Sequence, residues 1–435
     1  MRSILQESNV VSAIVFEREE WRQIMNKTLI LLAFLCVPFL AWGSQGQLQE
    51  PEASRELMNL IRIEKFDMIL PQVMRDNEID MWIYVKRGND LLDFEFGDSS
   101  GIYIFSDRGD VSVERAFFGG RGNRELYGII GSESDIAKFV AERDPKRIAL
   151  NYTERQSGYN TISEEDRAKI LETLGDKYSK RVVPGDRLTA DFLAGRGMAE
   201  IALYGRLLMI STEIIEREFE KIVPGVTALN ELSGNVFVRD PDGNEENNTD
   251  YVVQRGDLIG LLHDASMMDF SEHNGGIAYV LREGETDLPP EVKKIWEHAL
   301  ITREIFRKNI KAGPTGAETL EILIDELEKA GYVYIDRDQY DTNADPEKTQ
   351  VHIDFHALGR LVSQEEAPRI SPSGWGRDLK IPLYHTFTFE YMIHMPVPEW
   401  GRGKHLYICI HDGVMVTERG VEFPAPPIQG IHIIR

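Results

Sequence analysis

The chain has 435 residues and a net charge of −23, with 42% apolar and 28% charged residues. So acidic a protein is a poor partner for nucleic acid or an anionic membrane, because like charges repel. Its length exceeds that of one average domain, and its composition is that of a globular protein with a sizeable core.

The first segment of the chain predicts an export signal. Residues 25–43, MNKTLILLAFLCVPFLAWG, join a cationic start to a short apolar run and a small-residue cleavage pattern, as secretory signal peptides do. Residues 1–24 are then a non-native upstream extension, and the mature chain begins near Ser44 in the periplasm, with no membrane contact after cleavage. A membrane-anchoring helix with a cytoplasmic tail is the alternative. Cleavage leaves Cys409 as the one cysteine, so no internal disulfide forms.

Residues 44–187 are expected to form a first domain of mixed helix and strand. No histidine occurs before position 263, so we expect no transition-metal site there and interpret the domain as a positioning or dimerisation unit. The predicted elements are a helix over 55–77, strands over 81–86, 101–106 and 147–152, and a helix over 163–174 capped by Ser163.

Residues 188–435 are expected to form a second, α+β domain, because helices alternate with strand-like runs. At its centre, a Gly256-Asp257 turn precedes two apolar runs, 258–262 and 277–281, which are predicted to be strands joined by a polar loop rich in His, Asp and Glu. The predicted helices are one long helix over 188–222 that stops at Pro224-Gly225, and shorter ones over 296–310 and 319–330.

Candidate functional residues concentrate in this second domain, which holds all ten histidines of the chain. Period-two alternation places Glu390, Met392 and His394 on one strand face. The same rule places Cys409 and His411 on one face, together with Tyr407. A carboxylate within the apolar stretch FTFEYMI is costly to bury unless it is paired or liganded, so Glu390 is the strongest candidate for a functional group.

Several short motifs of this domain occur in the order found in one known family. They include Gly256-Asp257, Gly313-Pro314-Thr315, His356-Ala357-Leu358-Gly359, Thr388-Phe389-Glu390 and His411-Asp412. Together they resemble the creatinase/aminopeptidase P family, which includes Xaa-Pro peptidases. The resemblance implies a pita-bread fold for residues 188–435, preceded by a smaller ribonuclease-H-like α/β domain, and it implies a homodimer.

The resemblance also implies a metal site, and there the sequence departs from the family. The family holds two divalent metals with two Asp, one His and two Glu. His356 and Glu390 match, but the second Glu is His411, and the two Asp positions fall on Leu262 and His273. A slip of one residue would place His263 or Asp264 at the first Asp position and Glu272 at the second. The family's His-Glu-x-Pro motif falls on Glu365-Glu366-Ala367-Pro368.

Charge limits what this altered site would hold, because one carboxylate cannot balance two nearby dications. We therefore expect at most one divalent transition metal, Zn, Fe, Mn or Ni, on His273, His356, Glu390 and His411. The residues expected to act on a substrate are Glu366 or Glu365, as the group that moves a proton, and His352 or His394, as donors to an oxyanion.

The function implied is that of an Xaa-Pro aminopeptidase-like hydrolase, which cleaves peptides or small C–N (amide) bonds. Three alternatives remain open. In the first, the site holds no metal, as in the creatinase branch of the family, which hydrolyses a C–N bond without one. The protein would otherwise be a catalytically inactive binding protein that keeps the cleft, or a three-His, one-Glu iron enzyme with non-peptidase chemistry.

Overall fold

A computed structural model describes residues 52–435 except 89, 91, 98, 110–111, 155–161, 240–244, 247, 269, 359–366 and 402. The expected extension, signal peptide and cleavage point, and the candidate residues Glu365 and Glu366, lie outside the described residues. The chain divides into two compact units, residues 1–61 and 62–435. Among the described helices, none is long and apolar enough to cross a membrane. The expected domain boundary at 187/188 lies within the second unit and stays a prediction.

The helices in chain order are α1 (Glu52–Glu64), α2 (Leu70–Asp76), α3 (Asp93–Phe96), α4 (Ile136–Arg143), α5 (Glu164–Ser179), α6 (Asp186–Ala194), α7 (Met198–Glu220), α8 (Pro290–Asn309) and α9 (Gly316–Lys329). A π-helical turn, Lys65–Ile69, joins α1 to α2. The predicted helices over 55–77 and 163–174 are present, and Ser163 caps α5 by accepting a hydrogen bond from the Asp166 amide, as its position predicts.

The strands of the first sheet are β1 (Met81–Lys86), β2 (Gly101–Ser106), β3 (Glu114–Phe118), β4 (Ile129–Gly131), β5 (Ile148–Leu150) and β6 (Val182–Pro184). They lie in the order β4-β3-β2-β1-β5-β6. Strand β1 is buried on both faces: Trp82 and Tyr84 pack into one apolar cluster, and Met81 and Ile83 pack into another. A central strand covered on both sides explains why MWIYV reads as a continuous apolar run.

The remaining strands are β7 (Asn235–Arg239), β8 (Glu245–Glu246), β9 (Leu258–Met267), β10 (Phe270–Val280), β11 (Val333–Tyr334), β12 (Gln350–Ile353), β13 (His356–Ala357), β14 (Thr386–Pro396), β15 (His405–Thr417), β16 (Gly420–Glu422) and β17 (His432–Ile434). They form two sheets. The second sheet has the order β17-β10-β9-β7-β8, and the third has the order β11-β12-β14-β15-β16 with β13 paired to β14. The α+β expectation is confirmed.

The prediction of a single long helix over 188–222 is wrong, because the helix is interrupted between α6 and α7. Gly195 adopts an extended conformation there, and a Cβ added to it would lie 2.4 Å from the Ile69 side chain. The break directs Arg196 inward, where its guanidinium donates to the Leu358 carbonyl at 2.9 Å and to Thr386 Oγ1 at 3.2 Å. A contact so distant in sequence leaves no local signal in helical periodicity.

The prediction of a loop between residues 262 and 277 is also wrong. Strands β9 and β10 continue through this segment as an antiparallel hairpin that closes between Met267 and Phe270. The polar residues of β10 alternate with residues on the opposite face, and one face packs on α7. There Asn274 donates to Thr212 Oγ1 at 2.8 Å, so a polar residue is satisfied inside the fold rather than in a solvated loop.

Helices α8 and α9 begin earlier than their apolar periodicity predicts. Thr315 caps α9 in a box with Glu318, which explains a start before residue 319. Phe306 of α8 packs on Phe355 and Tyr391 of the third sheet. This apolar layer covers the outer face of the sheet and leaves its other face to polar side chains.

Candidate metal centre

One face of the third sheet collects most of the candidate residues. Directly opposed residues on neighbouring strands project to the same face of a sheet, so the pairing register defines which side chains are neighbours. The opposed sets on this face are His394–Tyr407, His352–Met392–Cys409, Glu390–His411 and His356–Thr388. The face-sharing predicted from period-two alternation in β14 and β15 is therefore confirmed.

Glu390 lies between two imidazoles. Its Oε2 is 3.1 Å from Nε2 of His356, and its Oε1 is 3.4 Å from Nε2 of His411. Both histidine side chains are 2% exposed, whereas Glu390 is 21% exposed. The two imidazole rings are thus buried, whereas part of the Glu390 carboxylate is accessible to solvent or to a ligand.

The electrostatics of this group favour an ionised carboxylate. Burial alone would raise the pKa of Glu390, but hydrogen bonds and charge interactions with His356 and His411 outweigh it and hold the pKa well below its usual range. Glu390 therefore carries a negative charge at neutral pH, and the two imidazoles supply the polar contacts that this partly buried charge requires.

Each of these two histidine–carboxylate contacts has the spacing of two ligands on one metal ion. Ligand atoms at about 2.1 Å from a tetrahedral ion are separated by about 3.4 Å. The two nitrogen–oxygen distances of 3.1 and 3.4 Å around Glu390 match that spacing. Imidazole nitrogen and carboxylate oxygen suit Zn²⁺, Fe²⁺, Mn²⁺ or Ni²⁺. The two contacts use different oxygens of Glu390, and His356 is outside the group of described residues whose donor atoms all lie within 4.8 Å of one another.

Cys409 is a neighbour that sequence reasoning did not treat as a ligand. Its Sγ lies 3.6 Å from Nδ1 and 4.0 Å from Nε2 of His411. Among the described residues, Glu390, Cys409 and His411 form a group whose donor atoms all lie within 4.8 Å of one another. The signal that could have found it is the two-residue spacing of Cys409 and His411 on a strand, since this spacing puts both on one face.

The second sheet faces this group through β10. A Cβ added to Gly275 would lie 3.1 Å from the Cβ of His411, so the inner side of β10 is close to the candidate site. Residue His273 is two positions along the same strand, opposite Asp264. The backbone of His273 is thus placed near the site, but its side chain lies outside the described residues, and its role as a ligand stays a prediction.

Glu272, the alternative in the shifted frame, lies on the other side of β10. Its carboxyl group faces α7 near Ser211 and Tyr204, on the side where Asn274 also bonds the helix. Burial raises the pKa of Glu272 to about 9, and the charge of Asp264 adds to the effect. The Glu272 carboxyl group, neutral at pH 7, is therefore turned toward the helix rather than toward His411.

His352 and His394 share the polar face but are bound to backbone carbonyls. His352 Nδ1 is 2.9 Å from the Ile335 oxygen, and His394 Nε2 is 2.6 Å from the Asp338 oxygen. Burial lowers the pKa of His394 to about 3, with the neighbouring His405 adding to the effect. A neutral ring that donates to a carbonyl keeps a lone pair on its other nitrogen, and His394 Nδ1 is buried with no hydrogen-bond partner among the described residues.

Asp354 is a further acidic residue beside the site that sequence reasoning did not single out. Its amide donates to the Glu390 carbonyl at 2.9 Å. Its carboxylate accepts two hydrogen bonds from Arg369, at 2.7 and 2.5 Å. This bidentate pair neutralises Asp354 and leaves Glu390 as the carboxylate of the His356–His411 group. Of the four predicted ligands, the structure brings His356, Glu390 and His411 together.

The fold of the chain is similar to that of solved peptidases. An X-Pro aminopeptidase from Thermotoga maritima MSB8 aligns with 19% identity and a TM-score of 0.54, over 83% of this chain and 100% of that one. An Xaa-Pro dipeptidase from Bacillus anthracis aligns with 16% identity and a TM-score of 0.52, over 86% and 100%. A putative aminopeptidase P from Bacillus anthracis aligns with 14% identity and a TM-score of 0.51, over 83% and 94%.

These likenesses establish the fold. No family model and no curated protein sequence matches the chain. At identities of 14 to 19%, the structural similarity shows that the chain has the pita-bread fold of these peptidases, as its motifs imply. What the altered site does is a separate question, because unrelated functions share folds.

Proposed function

We propose that the protein is a peptidase-like hydrolase of peptide or small amide (C–N) bonds, and that its candidate site holds a single divalent transition metal. His356, Glu390 and His411 would hold the ion, and His273 would complete the set. The observation that carries the proposal is the placement of the Glu390 carboxylate between two buried imidazole nitrogens at 3.1 and 3.4 Å.

This placement supports a ligand role over a purely structural one. A buried structural ion pair gains little stability over an apolar replacement, and the opposite face of the same strand is filled with apolar side chains such as Phe389 and Tyr391. Keeping an ionised group and two imidazoles together on the polar face is costly unless they serve a ligand or a reaction.

The number of ions follows from charge. Asp354 is committed to Arg369, so Glu390 is the anionic group that faces both histidines. Two dications beside one carboxylate would repel each other by several kcal/mol, even at an effective dielectric constant of about 20. A bound divalent ion in such a site acidifies a water molecule and polarises a carbonyl group.

Other residues of the chain are proposed to transfer the proton and to contact the oxyanion beside that ion. Glu366, or its neighbour Glu365, is proposed to take and return the proton. His352 and His394 are proposed to contact the oxyanion, and this role requires each ring to present a donor to the cleft. Because His394 Nε2 already faces the Asp338 carbonyl, His394 must gain a proton or turn to act in this way.

Replacement of Glu390 tests the proposal directly. Glu390→Gln keeps the size of the side chain and removes its charge, so metal content and hydrolysis of Xaa-Pro dipeptides should fall together, by roughly 10-fold or more for the metal. The measurements are metal analysis of the purified protein and release of proline. Glu422→Gln, on the strand β16 at the edge of the same sheet, is the matched control and should change neither.

Two outcomes would reject the proposal. Activity that survives both chelation and Glu390→Gln would show metal-free hydrolysis. A metal-free wild type without activity on a broad panel of peptides and amides would instead show a binding protein. We further propose an exported homodimer, which N-terminal sequencing from the native cell and light scattering of the purified protein would test.

A further inference from the structure

Cys409 lies in the candidate centre but is not one of the four predicted metal ligands. Its side chain lies on the polar face of β15, two residues from His411 and directly opposite Met392. It is the thiol of the expected mature chain, and it shares a group of donor atoms with Glu390 and His411. A half-buried thiol among ligand-type atoms is in a position to bind a metal ion.

The distances suit that role. With a metal–sulfur bond of about 2.3 Å and a metal–nitrogen bond of about 2.05 Å, a tetrahedral ion separates sulfur from nitrogen by about 3.6 Å. The observed separations between Cys409 Sγ and the His411 ring nitrogens are 3.6 and 4.0 Å. A single ion can therefore contact Cys409 and His411 together with Glu390, with only small side-chain adjustments.

Charge balance points the same way. Glu390 supplies one negative charge, and a Cys409 thiolate would supply a second, which together neutralise one dication. A coordinating thiol loses its proton when it binds such a cation.

A neighbouring residue is placed to support a metal-bound thiolate. Tyr407 lies two residues from Cys409 on the same face of β15, and the Arg239 guanidinium lies 4.7 Å from the centre of the Tyr407 ring. Hydrogen bonds to a coordinated sulfur orient the ligand and tune the metal. The phenol would serve this purpose here.

We propose that Cys409 is a thiolate ligand of the ion, so that the site is a sulfur-containing His/Glu/Cys centre that prefers thiophilic cations such as Zn²⁺, Co²⁺ and Cd²⁺ to Mn²⁺. The inference rests on the proposed single-metal function and adds the identity of a ligand and the class of metal. Soft thiolate ligands favour such cations, whereas sites built from carboxylates suit Mn²⁺.

Titration of the metal-free mature protein with Co²⁺ tests this assignment. Binding is measured by calorimetry, and sulfur ligation is measured separately by the thiolate-to-Co²⁺ charge-transfer absorption in the near ultraviolet. The wild type should bind one Co²⁺ with that band. Cys409→Ser should still bind Co²⁺ through the histidines and Glu390, without the band, with roughly 10-fold or more lower affinity and a reduced preference for Cd²⁺ over Mn²⁺.

The controls separate this inference from the proposed function. Tyr407→Phe keeps the thiol and should keep the band. Co²⁺ binding by the wild type without the band would overturn the thiolate assignment and leave the single-metal proposal standing. No Co²⁺ binding at all would overturn both. The wild-type spectrum decides the question by itself, so the inference can be refuted even if Cys409→Ser does not fold.

Discussion

Two adjacent glycines of β10 provide a sharp test of how the second sheet is placed between α7 and the candidate centre. Gly275 faces His411, whereas Gly276 faces Ile215 and Phe219 of α7. Neither glycine has a positive φ, so alanine is compatible with the backbone at both positions. The same substitution should therefore have different effects at neighbouring positions.

The size of each effect follows from the space available. At Gly276 a new Cβ would lie 2.4 Å from Ile215 and 2.9 Å from Phe219, and overpacking of this kind costs about 1–3 kcal/mol. At Gly275 the new Cβ would lie 3.1 Å from the Cβ of His411 and 3.2 Å from Leu262. The strain there is smaller, and the gain of about 0.5–1 kcal/mol from replacing a strand glycine offsets much of it.

The assay measures two quantities on each variant. Gly276→Ala should lower the free energy of unfolding in urea by about 1–3 kcal/mol and leave the metal affinity of the folded protein near that of the wild type. Gly275→Ala should unfold like the wild type within about 0.5 kcal/mol and bind metal more weakly, because His411 must move. Equal metal affinities for Gly275→Ala and the wild type would refute the proximity of β10 to the candidate centre.

Two further predictions concern buried ionisable groups. Burial raises the pKa of Glu272 to about 9 in the folded protein, from an ordinary value of 4.5. The folded state therefore keeps a proton that the unfolded state releases, and stability should fall by about 1.4 kcal/mol per pH unit as the pH rises between these values. Glu272→Gln should flatten this slope between pH 6 and 8 in urea unfolding, and an unchanged slope would contradict the burial of a neutral carboxyl group. Asp412 accepts from Arg303 at 3.0 Å and from the Ile428 amide at 2.8 Å, so Arg303→Met should cost about 3–5 kcal/mol by leaving a buried charge unpaired. Adding Asp412→Asn should recover part of that loss in thermal unfolding, and additive losses would exclude the pairing.

The period-two alternation of residues was sufficient to predict that Glu390 and His411 lie on polar strand faces. Glu390 and His411 were expected on polar strand faces because alternation of apolar and polar residues has a fixed period of two in a strand. Their cross-strand pairing then brings them within 3.4 Å. The placement of His356 beside them required the family motif, since no local rule positions a two-residue strand such as β13.

The errors arose where distant residues decide local structure. The break before α7 exists because buried Arg196 bonds Leu358 and Thr386, more than 150 positions away. The supposed loop in β10 is a strand because α7 satisfies Asn274. Cys409 was not predicted as a ligand because the family pattern contains no thiolate, and only the structure brings its sulfur within 3.6 Å of His411.

The central claim is that Glu390 and its two histidines form a centre for one metal ion. The most direct measurement is the metal content per chain of the purified mature protein, determined by mass spectrometry after saturation with Zn²⁺ and removal of loosely bound ions. We predict one tightly bound ion in the wild type and a loss of that ion in Glu390→Gln. Two tightly bound ions per chain, or one ion that Glu390→Gln retains with unchanged affinity, would contradict the claim.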